Sequence, residues 1–162
     1  QSLNSKHMAI SKIFKVMRIA LGGFFLSLAI LSFLAPIIQS AIGYPGGENI
    51  YSGLSNICHQ YPTRSLWITN RPFALCSRCF GGYLGISLAL LFVNSTVNYS
   101  RRIALGIILA LPGIVDGGIQ LITTYESTNI IRFISGFLGG LGLFYIFFSF
   151  MSNSQNKKGV IE

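Results

Sequence analysis

Apolar residues gather into four long runs, at about residues 16–42, 76–94, 102–125 and 129–151, separated by polar stretches. Each run is near or above the roughly twenty residues that a helix needs to cross a hydrocarbon core about 30 Å thick. The first continues through Leu31-Ser-Phe-Leu34 to Pro36, longer than a signal-peptide core and without its small-residue cleavage site, so it reads as a retained span. The pattern predicts an all-α integral membrane protein, a bundle of four transmembrane helices.

The connections are unequal. Two are only several residues long, whereas the segment 44–75 is a long loop in an otherwise economical chain, the kind of segment that is ordinarily functional or disordered. Ile50, Leu54, Ile57 and Tyr61 recur at helical spacing, which predicts order here: a short amphipathic helix on the membrane surface, with Trp67 and Phe73 at the interface. Residues 8–152 form a single membrane domain on this reading. Residues 1–7, QSLNSKH, read as an added extension ahead of Met8, and 153–162 as a flexible cytoplasmic tail. Gly81/Gly85, Gly113/Gly117 and Gly136/Gly140 are small-xxx-small pairs, one in each of the last three spans. They predict close helix packing, and such faces also suit a homodimer. Pro36 and Pro112 interrupt their helices and free carbonyls that must face protein or water.

Composition sharpens the class. Hydrophobic residues make up 51% of the 162 and charged residues 10%, against about 25% charged in an average soluble domain, which excludes an ordinary soluble enzyme or nucleic-acid binder. The net charge of +8 comes from clusters flanking the runs, not from one basic stripe. Lys12, Lys15, Arg18, Arg101, Arg102, Lys157 and Lys158 fall on one side of a four-span topology, and Arg64, Arg71, Arg78 and Arg132 on the other. The positive-inside rule then puts both termini in the cytoplasm and the 44–75 loop outside, with the lipid bilayer as the partner and no nucleic acid.

The chemical signal is concentrated. All three cysteines, and the single histidine after residue 7, lie within the 22 positions of Cys58-His59 through Cys76-Ser-Arg-Cys79. Cys76 and Cys79 share one face of a first helical turn, and with Cys58 and His59 they give three thiolates and an imidazole, a set that suits tetrahedral zinc. Adjacent residues reach one ion only in irregular backbone, so His59 is alternatively a supporting or catalytic group. Without His59 the site keeps an open position, which permits metal-assisted hydrolysis of a lipid-soluble substrate.

Two other classes stay open. The Cys-x-x-Cys resembles the bacterial quinone-linked disulfide-generating enzymes and the vitamin K epoxide reductases, which implies a thiol oxidoreductase with quinone as cofactor; those families use two cysteine pairs, and this chain has three cysteines. A small oligomeric ion or solute transporter would use Asp116, the only acidic residue in a predicted span, where a carboxylate is expensive and faces the bundle interior. Gln120 follows it on the same helical face, and Arg132 and Arg78 can neutralise it. Asp116, His59 and Arg132 are therefore the candidate catalytic groups, and Arg64, Arg78, Gln120 and Asn129 the candidate substrate-binding ones.

Cys58-His-Gln-Tyr-Pro-Thr-Arg-Ser65, Cys76-Ser-Arg-Cys-Phe-Gly-Gly-Tyr-Leu-Gly85, Pro112 with Asp116-Gly117 and Gln120, and Asn129 with Arg132 and Gly136 together resemble the DUF2085 family of small prokaryotic membrane proteins, over about residues 50–140. Phe80 and Gly82 depart from its more aliphatic pattern. The resemblance implies a multi-span protein of the prokaryotic plasma membrane. It further implies that Cys58, His59, Arg64, Cys76, Arg78, Cys79, Asp116, Gln120, Asn129 and Arg132 form one constellation, and it implies no particular activity.

Overall fold

A computed structural model describes residues 2–43, 47–92 and 98–158, with side chains over 12–43, 47–92 and 98–150. The order is α1 (Ser2–Ile42), α2 (Glu48–Ser55), a 3-10 turn (Pro62–Arg64), a hairpin of β1 (Trp67–Ile68) and β2 (Arg71–Pro72), then α3 (Ser77–Phe92), α4 (Tyr99–Ile122) and α5 (Asn129–Lys158). The protein is mostly helical. Among the described residues three helices are long and apolar enough to cross a membrane, over Lys12–Ile42, Tyr99–Ile122 and Asn129–Phe150, and α3 is a shorter apolar helix. Helix α1 already begins at Ser2, inside the polar extension, and α5 continues to Lys158. The expected end of the second run at 94, the loop start at 44–46 and residues 159–162 lie outside the described residues.

Small residues set the packing. A Cβ on Gly81 or Gly85 would overlap the Phe133 or Phe137 carbonyl oxygen, and one on Gly136 or Gly140 would overlap that of Arg78 or Gly82. Two of the glycine pairs thus meet each other and bring α3 and α5 to backbone contact, the close approach that small residues allow. Gly106 and Gly142 do the same between α4 and α5. Contacts advance together along α3 and α5, so these helices are parallel. They run oppositely between α4 and α5, and between α1 and α3, where Ser87 Oγ donates to the Gly22 carbonyl and the Leu75 N–H to Ser32 Oγ. Helix α3 therefore lies between α1 and α5, with α4 on the far side of α5.

This arrangement gathers the end of α1, the start of α3, the end of α4 and the start of α5 at one end of the bundle, under the 47–75 loop. At the opposite end the guanidinium groups of Arg18 and Arg102 lie over the Phe148 ring, at 5.8 and 5.6 Å from its centroid.

The loop departs from expectation in three places. Helix α2 stops at Ser55, so only Ile50 and Leu54 of the four spaced apolar residues lie on it; Ile57 and Tyr61 are exposed. The N–H groups of Ile57 and Cys58 both reach the Leu54 carbonyl, at 3.1 Å, which turns the chain out of the helix. A two-stranded hairpin interrupts the all-α reading, with Thr69 and Asn70 both at positive φ (51° and 58°), the backbone that a two-residue hairpin turn requires. Trp67 is exposed, but Phe73 is buried edge-on between Phe33 and Phe80.

Candidate functional site

A proline inside α1 begins the site. Pro36 has no N–H, so the carbonyl one turn back, that of Ser32, is left free in α1. The Ala74 N–H takes it at 3.3 Å, and the Leu75 N–H takes the Ser32 hydroxyl at 2.9 Å. The loop is thereby fastened to α1 immediately before Cys76. Gln60 fastens it from the other side. Its backbone is left-handed (φ 51°), and its Nε2 donates to the carbonyls of Tyr51 (2.7 Å) and Ala74 (2.9 Å). The Tyr51 hydroxyl in turn donates to the Pro72 carbonyl at 2.5 Å. These bonds hold Cys58 over the first turn of α3.

Cys58, Cys76 and Cys79 converge there, with their sulfurs all within 4.8 Å of one another. All three are free thiols; Cys58 and Cys76 are buried and Cys79 half-buried. Ala35, Leu54, Ala74 and Leu75 pack around them. The Cys76 N–H donates to Cys58 Sγ at 3.2 Å. The Cys76 and Cys79 thiols, with the backbone N–H groups of Cys76 and Gln60, pull the Cys58 thiol far below its ordinary range, against the opposing effect of burial. A cradle of donors at a helix start favours a thiolate. His59 is not among the converging groups: it is exposed, with its ring 4.6 Å from that of Tyr61.

Arg78, between Cys76 and Cys79 in sequence, points to the other side. Its guanidinium pairs with Asp116 of α4. Asp116 is buried and also accepts from Gln120 Nε2 (3.0 Å) and Ser135 Oγ (3.1 Å). It lies six residues before the end of α4, roughly 9 Å below that end. Gln120 Nε2 also reaches Ser127 Oγ. Asn129 opens α5 and donates to the carbonyls of Ser65 (2.9 Å) and Thr63 (3.2 Å), while its Oδ1 accepts from Arg132. Arg64 pairs with Glu126 at 2.8 Å, and this pair holds the Glu126 carboxyl below its ordinary value. Gly117 leaves room beside Arg78, and a cavity of about 250 Å³ opens between Arg64, Arg78, Gln120 and the 121–126 turn.

The structure thus brings together Cys58, Cys76 and Cys79 on one side of the α3 start, and Arg64, Arg78, Asp116, Gln120, Asn129 and Arg132 on the other; His59 joins neither. Sequence reasoning missed Gln60, Ser32, Ser135, Ser127 and Glu126. Gln60 adjoined the cysteine-histidine pair, and Ser32 lies one turn before Pro36, so both carried a signal. Ser127 and Glu126 lie in the short α4–α5 connection and Ser135 within the apolar run of α5, and none of the three carried one.

The family model described as predicted membrane protein DUF2085 matches residues 58–146, and the chain belongs to this family. It is similar to an uncharacterized protein of Methanocaldococcus jannaschii, 40% identical over 102 residues that cover 60% of this chain and 65% of that protein. It is also similar to an uncharacterized protein of Methanothermobacter thermautotrophicus, 37% identical over 89 residues that cover 54% of this chain and 80% of that one. The chain thus spans less than two thirds of the first of these relatives. No solved structure matches it.

Proposed function

We propose that this member of the DUF2085 family is an integral membrane metalloprotein that holds zinc on Cys58, Cys76 and Cys79. The observation that carries the reading is the convergence of three free thiols within 4.8 Å. Tetrahedral zinc with bonds of about 2.3 Å sets its sulfurs about 3.8 Å apart, a small inward shift from this arrangement. Three soft donors of one type, from two chain segments, favour a thiophilic ion over magnesium or calcium. Cys58, Cys76 and Cys79 would hold the metal and so fix the loop onto the start of α3. There the metal supplies Lewis-acid chemistry, which suits hydrolysis of a lipid-soluble substrate.

In this reading α3 crosses the membrane together with the three longer helices. The 16 residues of α3 span about 24 Å, and α3 runs between α1 and α5, so it shares their surroundings. The basic residues at the Arg18 and Arg102 end make that end cytoplasmic, with the sulfur site outside.

The test is elemental analysis of protein purified without chelators or an immobilised-metal column. About one zinc per chain, lost in a Cys76→Ser/Cys79→Ser double variant, is expected. Metal no higher than in the double variant overturns the reading. Quinone-dependent disulfide formation in such metal-free protein would then identify a thiol oxidoreductase.

A further inference from the structure

Beyond the metal, the structure carries a second site. We propose that the cavity between Arg64, Arg78 and the α4–α5 turn binds a phosphate group, either inorganic phosphate or the headgroup of a phospholipid. Three guanidinium groups, those of Arg64, Arg78 and Arg132, surround two carboxylates, Asp116 and Glu126. The site therefore has one positive charge in excess.

The donors are also in excess. Arg132 is only 5% exposed, and its Nε and Nη2 have no hydrogen-bond partner among the described residues; Nη2 lies 4.0 Å from Glu126, which lines the cavity. The Nε of Arg78 is likewise buried and unpartnered. Buried guanidinium N–H groups are costly when left unmade. Arg64 and Arg78 line the cavity themselves, with Arg132 paired behind Glu126, and phosphate presents more acceptor oxygens to two guanidinium forks than a carboxylate does.

Size and position favour the same class. About 250 Å³ holds a phosphate with part of its substituent and falls below the ~300–1,000 Å³ of pockets for drug-sized molecules. Gly117 keeps the space open, since a Cβ there would meet only Arg78 Nη1, at 3.9 Å. Leu121 lines the cavity and is 87% exposed, so an acyl chain leaving the phosphate would find an apolar path along α4.

The test is calorimetric titration of the full chain, stripped of lipid in a neutral detergent, with dihexanoyl phosphatidic acid, inorganic phosphate, dihexanoyl phosphatidylcholine and acetate. Saturable binding of phosphatidic acid or phosphate at one site per chain, over the acetate control, is expected. Arg64→Gln, at an exposed residue, should weaken it about tenfold, the scale of one charge-assisted hydrogen bond. Gly117→Leu should abolish it with every charge retained. Equal binding of phosphate and phosphatidic acid identifies the phosphate group itself as the ligand, and binding of phosphatidic acid alone identifies a lipid headgroup.

No saturable binding of either, or binding no tighter than that of acetate, overturns the proposal. So does binding that Gly117→Leu leaves intact in a folded variant; if that variant does not fold, an Arg64→Gln protein that binds undiminished has the same force. Zinc measured on the same samples keeps this outcome separate from that of the metal reading.

Discussion

The two sides of the α3 start are built from opposite materials. On one, three sulfurs sit among Ala35, Leu54, Ala74 and Leu75 and are held in place by the loop's backbone, whose Ala74 carbonyl accepts from Gln60 Nε2 and whose Cys76 N–H donates to Cys58 Sγ. On the other, Asp116 is enclosed by Arg78, Gln120 and Ser135, each reaching it from a side chain. The carboxylate is satisfied by the protein alone, whereas three thiols packed together in apolar surroundings have few partners beyond one another. A cluster of that kind gains most from a cation. The polar side gains from the same logic with the sign reversed, because its surplus lies in guanidinium donors. Arg78 belongs to the polar side while its two sequence neighbours on the sulfur side are Cys76 and Cys79, so a single helical turn serves both.

The largest effect is expected at the cysteines. Cys76→Ser/Cys79→Ser should reduce bound zinc from about one per chain to background and lower stability by several kcal/mol, because metal-binding free energy becomes folding free energy where the site ties two segments together. Thermal unfolding in detergent with and without chelator measures it. Chelation should lower the melting temperature of the parent protein and leave the double variant unmoved.

Asp116→Ala tests the opposite side. It leaves Arg78 without its partner; only the Asp116 side of the pair is buried, Arg78 being 36% exposed, so the cost is about 1–3 kcal/mol, below that of a fully buried pair. Zinc content should be unchanged in the folded fraction, which separates the two regions. Gly136→Ala should act on both, because its Cβ would overlap the Arg78 carbonyl oxygen at the α3–α5 contact; overpacking of this kind costs roughly 2 kcal/mol. Gly118, where a Cβ meets nothing within 4 Å, is the control, and Gly118→Ala should be neutral or slightly stabilising. Gln60→Ala removes two hydrogen bonds to loop carbonyls and should cost about 1–2 kcal/mol. Its more telling readout is faster zinc loss to a chelator, since it acts by positioning Cys58.

How much of this was legible differs between the two regions for a physical reason. The helices and their glycine contacts followed from run length and small-residue spacing, both local. The sulfur cluster was legible because cysteine is scarce here and all three fall in one short stretch. Most of the polar constellation was named in advance, since Asp116 and Arg132 stand out against apolar runs. Its fine structure was not, because Ser127, Ser135 and Glu126 acquire meaning only when α4 and α5 fold back on each other. His59 stays apart from the sulfurs, as the difficulty of two adjacent residues reaching one ion implies: Cys58 turns inward where the chain leaves α2, and the next residue is carried outward. The hairpin at 67–72 rests on two residues at positive φ, one of them Thr69, a β-branched residue for which that conformation is uncommon. Composition gives no warning of it.

The smallest expected effect lies at the rim, where the polar side meets water. Arg64 and Glu126 are 41% and 64% exposed, and the pair pulls the Glu126 carboxyl below its ordinary value of 4.5 in the folded protein. A depressed folded value means that the pair's contribution is complete above the unfolded carboxyl value and disappears as pH falls through the lower folded one. Between neutral pH and that window the pair should add a constant, salt-sensitive increment, small because water screens both groups. Comparing the melting temperatures of the parent protein and Glu126→Gln from pH 7 downward should show a slight deficit at pH 7 that shrinks as pH falls below 4.5, and added salt should erase it at pH 7. A deficit that persisted at pH 7 in high salt would mean that Glu126 supports the turn through packing instead of charge, and the rim would then resemble the sulfur side more than the network it borders.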